Sequence, residues 1–315
     1  MIGTKILGFG GYQPDKVVTN DDLAKIVDTN DEWIRSRVGI QSRRVAGDDE
    51  TVADMAEAAG AKALAASGLE PSEVDLVIVA TCSPESPLPN VSATVAHRLG
   101  IPAPGAYDLN AACAGFCYGI GAASDSVRAG SARNVLVIGA EKMTSWIDWT
   151  DRSTCIIFAD GAGAAVVGQA GADEQPGIGP VVWGSAGDLA QKITIEGRDG
   201  SLRQDGQSVF RWATSAIAPV ALEACRRAGV TPAEISAFVS HQANLRIVES
   251  IAKKLGIPRE RVADDIIQSG NTSSASIPLA LSRMAEQGRL QPGTPALLIG
   301  FGAGMCYASQ VITVP

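Results

Sequence analysis

The segment GLEPSEVDLVIVA at residues 68–80 is matched by GVTPAEISAFVSH at 229–241, with Gly, Pro and Glu in identical places at an offset of 161. A chain that repeats itself over such a distance builds two similar halves, each with the same elements in the same order. Helix-like stretches precede both segments, TVADMAEAAGAKALAASG at 51–68 and SVFRWATSAIAPVALEACRRAG at 208–229. Short β-branched runs at 74–81, 134–140, 236–241 and 295–301 alternate with helical patterns, which predicts an α/β fold. The halves are expected to span 1–169 and 170–315.

Two stretches, 109–124 and 266–282, carry almost no charge. A helix without a charged face must be covered all round, so these two are expected to form a central layer between two sheets. The result is a layered α-β-α-β-α arrangement with two central buried helices. Cys113 and Asn271 are expected at corresponding starts of the two stretches.

With 46% hydrophobic and 19% charged residues, the chain has ample material for a large core. Its net charge of -8 opposes general nucleic-acid binding, so any acidic partner must find a local basic patch. Six cysteines lie scattered without CxxC pairs, which points to neither a metal cluster nor a disulfide framework. No run is apolar and long enough to span a bilayer, and the start lacks a basic and apolar leader; a cytoplasmic protein is expected, with no membrane partner.

Only two histidines are present. His97 reads as part of a helix surface, whereas His241 ends a predicted strand and opens HQANLR, where a loop presents it to a cleft or burial simply satisfies it. Cys113 sits between a β-run and a helix, where first-turn amides are expected to favour its thiolate. Small neighbours in AACAG give a substrate room to approach, and Cys117 one turn later reads as packing. Asn271 in GNTSSAS reads as a helix cap or as a functional partner. The glycines of GFGGY (8–12) read as a turn, and GFGAG (300–304) as a hairpin whose amides can face an oxyanion.

With AACAGF, HQANLR and GNTSSAS in this order, the chain resembles the β-ketoacyl-acyl-carrier-protein synthase III family of thiolase-fold condensing enzymes. DEWIRSRVGI (31–40), TDRST (150–154), FADGAGAAVV (158–167) and GFGAG extend the similarity over nearly the full length. The resemblance implies that Cys113 accepts an acyl primer from coenzyme A and that His241 and Asn271 promote decarboxylation of malonyl-acyl-carrier protein. It makes the Cys113 and Ala303 amides the oxyanion donors, with Ala303 standing where the family usually has glycine. Trp33, Arg37, Arg152 and Asn244 match positions along the coenzyme A path, and Arg211 and Arg246 match a docking surface for the acidic carrier protein. Leu88 matches a residue that reaches the acyl pocket of the partner subunit in a homodimer. Acyl-coenzyme A is then a substrate, and neither a cofactor nor a metal is implied.

Other readings are a starter-unit enzyme of polyketide metabolism with the same triad, a papain-like hydrolase, and a non-catalytic partner subunit. The Cys, His, Asn order fits a papain-like enzyme, but its CGSCW-type signature is absent.

Overall fold

A computed structural model describes residues 2–197 and 200–315. Strands β1 (Thr4–Tyr12), β2 (Leu76–Ala80), β3 (Gly105–Leu109), β4 (Asn134–Lys142) and β5 (Asp160–Gln169) form one sheet in the order β1-β5-β4-β2-β3. Strands β6 (Val182–Ser185), β7 (Ala237–Ser240), β8 (Pro295–Phe301) and β9 (Cys306–Thr313) form a second sheet in the order β7-β8-β9-β6. In the first sheet β2 runs parallel to β4, which is antiparallel to β5. In the second, β7, β8 and β9 repeat that pattern. Where the first sheet has β3, the second half keeps a single bridge between Phe238 and Val262.

The period of two along each strand sends alternate side chains into different layers. On β4, Val137 faces the centre while Leu136 and Ile138 face the outer helix α1 (Val52–Ser67). On β8, Leu298 faces the centre while Leu297 and Ile299 face outward, toward helices α3 (Gly206–Ala228) and α4 (Leu245–Leu255). Between the sheets lie α2 (Gly115–Arg128) and α5 (Ser276–Glu286), whose Phe116, Ile120, Ile277 and Leu281 join residues of both sheets in one core. The thiolase-like layering α-β-α-β-α is therefore present, and the two halves share its central layer.

Local chemistry explains where the outer helices begin and end. A reciprocal cap between Thr51 and Asp54 opens α1, and left-handed Gly68 (φ 71°) closes it; Gly229 (φ 72°) closes α3 in the same way. The glycines of GFGGY form part of β1 rather than a turn. A side chain on Gly8 would strike the backbone of α1, its Cβ standing 2.7 Å from the Ser67 nitrogen, so the strand's glycines serve close helix packing.

The repeat extends to the central turns. Before α2 the chain makes a tight turn over Ala112–Ala114, and before α5 another over Ser273–Ala275. Ala112 (φ 46°) and Ser273 (φ 51°) take the same left-handed backbone, and Asn110 and Asn271 each accept the N–H two residues on, at 3.1 and 2.8 Å. The counterpart of Asn271 is thus Asn110, and that of Cys113 is Ser274, which corrects the expected pairing of Cys113 with Asn271. Gly139 and Gly300 complete the relation, because a Cβ on either would collide with the opposite half's turn, at Ser274 or Ala114.

Among the described residues no helix is long and apolar enough to cross a membrane. Among them, too, no group of three or more His, Cys, Asp or Glu side chains is placed to hold a metal ion.

Candidate active site

The turn that carries Cys113 opens into a cavity of about 920 Å³ lined by Cys113, His241, Asn271 and Ala303. Trp33, Arg37, Arg152, Asn244, Arg211 and Arg246 line the same cavity. Leu88 does not; on a single chain it is 79% exposed. The fold thus brings ten of the eleven singled-out residues to one space.

His241 follows β7, and its backbone N–H donates to the Ile299 carbonyl of β8 at 2.7 Å. Gln242 anchors the next position: its Nε2 donates to the Ser240 carbonyl and its Oε1 accepts the Ile266 N–H. That second bond ties the histidine loop to the segment leading to Asn271. The Phe301 ring meets the imidazole edge to face, with centroids 5.4 Å apart. Burial holds His241 neutral, its pKa pushed down to about 3.

Asn271 is 4% exposed, and its Oδ1 is committed to the Ser273 N–H. Its Nδ2 is therefore the group free to donate into the cavity. GFGAG forms the β8–β9 hairpin as expected, with left-handed backbone at Gly304 (φ 71°) and Met305 (φ 49°). Ala303 stays outside that region, so alanine serves as well as glycine there, and its N–H faces the Cys113 sulfur.

The expected ready thiolate is not what the site holds. Burial pushes the Cys113 thiol up to about 11, outweighing the Cys113 and Ala303 amides, which favour the anion. Nearby Glu141 opposes the anion further. Cys113 and His241 at rest are a neutral thiol and a neutral imidazole, not an ion pair. Cys117 is pushed up to about 12 by burial and is a packing residue, while His97 lies exposed on the helix Val91–Arg98, both as expected.

Glu141 is one of the residues that patterns in the sequence did not single out. It is fully buried at the end of β4, forms no ion pair among the described residues, and accepts from the hydroxyls of Thr81, Ser83, Ser273 and Ser274. It thereby ties the Ser273 turn to the first sheet. The available signal was an acidic residue closing the apolar run NVLVIGAEK. Cys82 also lines the cavity and donates to Glu141.

At the exposed end, the Arg152 and Arg37 guanidinium carbons lie 4.6 and 5.7 Å from the centre of the Trp33 ring. Asn30 caps the helix Asp31–Val38 that carries Trp33, and Gly39 (φ 82°) ends it. Fully buried Arg43 braces this end from below, donating to Asn20 Oδ1 and to the Ile156 carbonyl just past the Arg152–Cys155 helix. Asn244 caps α4 and donates to the Arg37 carbonyl at 3.1 Å. Arg246 lies 5.2 Å from the Phe210 ring, and neither it nor Arg211 forms an ion pair among the described residues. Cations are therefore concentrated at the cavity in a chain of net charge -8.

Comparisons with known proteins follow the same lines. Residues 107–187 match the family described as 3-oxoacyl-[acyl-carrier-protein] synthase III, and residues 225–314 match its C-terminal counterpart. A relative in Streptomyces coelicolor, beta-ketoacyl-[acyl-carrier-protein] synthase III 4, is 54% identical over 99% of both chains. Among solved structures, the priming beta-ketosynthase of the R1128 polyketide pathway aligns with a TM-score of 0.96 at 43% identity, covering 99% of this chain and 96% of that one. The 3-oxoacyl-[acyl-carrier-protein] synthase III of Aquifex aeolicus aligns with a TM-score of 0.95 at 40% identity, covering 99% and 100%.

Proposed function

Since the chain belongs to the 3-oxoacyl-[acyl-carrier-protein] synthase III family of thiolase-fold acyltransferases, we propose that it loads an acyl primer from coenzyme A onto Cys113 and condenses it with malonyl-acyl-carrier protein. The observation that carries this reading is the convergence of a nucleophile, two neutral donors and the Ala303 amide on one cavity with an aromatic and basic outer end. Trp33 offers a stacking face for adenine, and Arg37 and Arg152 offer charge for phosphate.

In the first step the Cys113 sulfur attacks the thioester carbonyl, the Cys113 and Ala303 N–H groups face the developing oxyanion, and coenzyme A leaves as its thiol with the proton. In the second, malonyl-acyl-carrier protein loses carbon dioxide. His241 and the Asn271 Nδ2 donate to the enolate oxygen, and the nucleophilic carbon attacks the acyl group on Cys113, releasing its sulfur as the thiolate, which takes a proton from water to restore the resting thiol. Two neutral donors suit this step, because they stabilise the enolate without supplying an acidic cation that protonates it.

The acidic carrier protein docks on Arg211 and Arg246, and two copies of the chain associate as a homodimer in which Leu88 reaches the partner's acyl pocket. Exposure of Leu88 and of Tyr107 on the edge strand β3 supports that association. No cofactor enters either step. The structural likeness to a priming ketosynthase keeps starter-unit condensation in polyketide synthesis as a second setting for the same chemistry.

Intact-protein mass spectrometry with a set of acyl-coenzyme A thioesters tests this reading. An adduct is expected on the native chain and none on Cys113→Ala. His241→Ala and Asn271→Ala are expected to acylate normally and to lose about 10²–10³-fold in malonyl decarboxylation, the usual cost of one oxyanion donor. No adduct on the native chain, or normal decarboxylation in both variants, overturns it.

A further inference from the structure

His241 has two ring nitrogens, and the group bonded to Nδ1 decides which one carries the proton. That group is Ser276, the first residue of α5, whose Oγ lies 2.7 Å from His241 Nδ1. The same oxygen accepts the backbone N–H of Gln242 at 3.3 Å. A hydroxyl has one proton to donate, and Ser276 is 1% exposed, so solvent offers it no ready alternative. Among the described residues Ser276 Oγ forms hydrogen bonds with His241 Nδ1 and the Gln242 N–H alone, and of these His241 Nδ1 is the one that can accept.

The two possible arrangements are therefore unequal. With the proton on Nδ1, the imidazole donates to Ser276 and the buried hydroxyl proton is left without a partner. With the proton on Nε2, Ser276 donates to Nδ1 and every group is satisfied. We infer that Ser276 is a positioning residue that fixes His241 as the tautomer protonated on Nε2, so that the imidazole meets the cavity as a hydrogen-bond donor and not as a base.

Two further contacts keep that donor aimed. The Phe301 ring stands at 77° to the imidazole and limits its rotation, and the Ile299 carbonyl holds the His241 backbone. Burial keeps the ring neutral, so a tautomer is what must be chosen. The consequence for catalysis rests on the reading of His241 and Asn271 as the pair that stabilises the enolate; the tautomer itself does not. Ser276 touches neither the nucleophile nor the substrate in this scheme, and it acts through His241.

Two histidines in the whole chain make the test direct. In protein labelled with ¹⁵N-histidine, long-range proton–nitrogen correlations distinguish a bare from a protonated ring nitrogen, and a His97→Asn variant assigns the two rings. The expected result in the native protein near pH 7 is a bare Nδ1 and a protonated Nε2 on His241. Ser276→Ala is expected to give a mixture of tautomers and about a tenfold loss of malonyl decarboxylation, less than full loss of a donor. Its Cys113 acylation stays within about twofold of the native rate, and Ser276→Thr restores the native pattern.

A His241 ring protonated on Nδ1 in the native protein overturns the inference, and that measurement needs no variant to fold. An unchanged tautomer in folded Ser276→Ala also overturns it. A changed tautomer with undiminished decarboxylation leaves the role of Ser276 standing and overturns the assignment of His241 to the enolate.

Discussion

A Cβ on Gly302 would stand 2.6 Å from Cys113 Cβ and 2.9 Å from its sulfur, so Cys113 and the β8–β9 hairpin share one contact surface. Gly302→Ala is expected to slow acylation of Cys113 about 100-fold, the penalty for displacing a reacting group by about 1 Å. Adduct formation followed by mass spectrometry measures it. A rate within about twofold of native shows that the hairpin yields, and removes the argument.

Burial sets opposite shifts at the two central groups, with Cys113 raised to about 11 and His241 lowered to about 3. Iodoacetamide should therefore alkylate Cys113 about tenfold faster per pH unit from 7 to 9, as the thiolate fraction grows, while a plateau below pH 8 contradicts the shift. For His241 the unfolded chain gains a proton near pH 6.5 that the folded chain refuses until about 3. Its contribution to stability is thus complete above pH 6.5 and lost as pH falls through that window, at up to about 1.4 kcal/mol per unit. Urea midpoints at pH 7 and 4.5 should differ less in His241→Gln than in the native protein; equal slopes count against a buried neutral ring.

Arg211 and Arg246 are exposed and form no ion pair among the described residues, which leaves them available to an acidic partner. Arg211→Glu together with Arg246→Glu should raise KM for malonyl-acyl-carrier protein about tenfold and flatten its salt dependence, with KM for the acyl-coenzyme A primer unchanged. Steady-state kinetics at several ionic strengths provide the check. Equal effects on both substrates indicate damage to the cavity instead.

Leu88 is the most exposed large apolar residue among the described residues. In the proposed homodimer a side chain shorter than phenylalanine leaves room for a branched primer in the partner's pocket, so isobutyryl-coenzyme A should acylate Cys113 at least as fast as acetyl-coenzyme A, and Leu88→Phe should reverse the order. A strong acetyl preference in the native protein, or a monomer by analytical ultracentrifugation, argues against that placement.

Much of the architecture was legible because the repeat is written in residues with few local alternatives. Gly68 and Gly229 end helices in the left-handed region, Pro71 and Pro232 start the next turns, and alternating β-branched residues assign the strands. The residues that meet in the cavity could be picked out because they combine rare types with strand or helix ends. The internal counterpart of Cys113 was misjudged by three positions, since AACAG and TSSAS share little beyond the backbone shape they adopt. The state of the thiol was also misread. Helix position is visible in a sequence, whereas the burial that outweighs it comes from distant segments. Ser276 and Glu141 stayed hidden for a related reason, because a serine or glutamate acquires its role from partners far along the chain.

Ser274 stands where Cys113 stands in the other half, and the same offset sets Glu141 against Gly302 and Ala80 against His241. Each set draws on both halves: Cys113 of the first meets His241 and Gly302 of the second around an open cavity, whereas Ser274 of the second meets Ala80 and Glu141 of the first in its filled cast, with Glu141 bonded to Ser274 at 2.8 Å. The passage between these states is one-sided. A single side chain on Gly302 closes the chamber, but opening the cast requires a new nucleophile, a new imidazole and removal of a buried carboxylate together. After the duplication, specialisation of the two equivalent sites acts as a ratchet, leaving the filled site to evolve as scaffold for the open one.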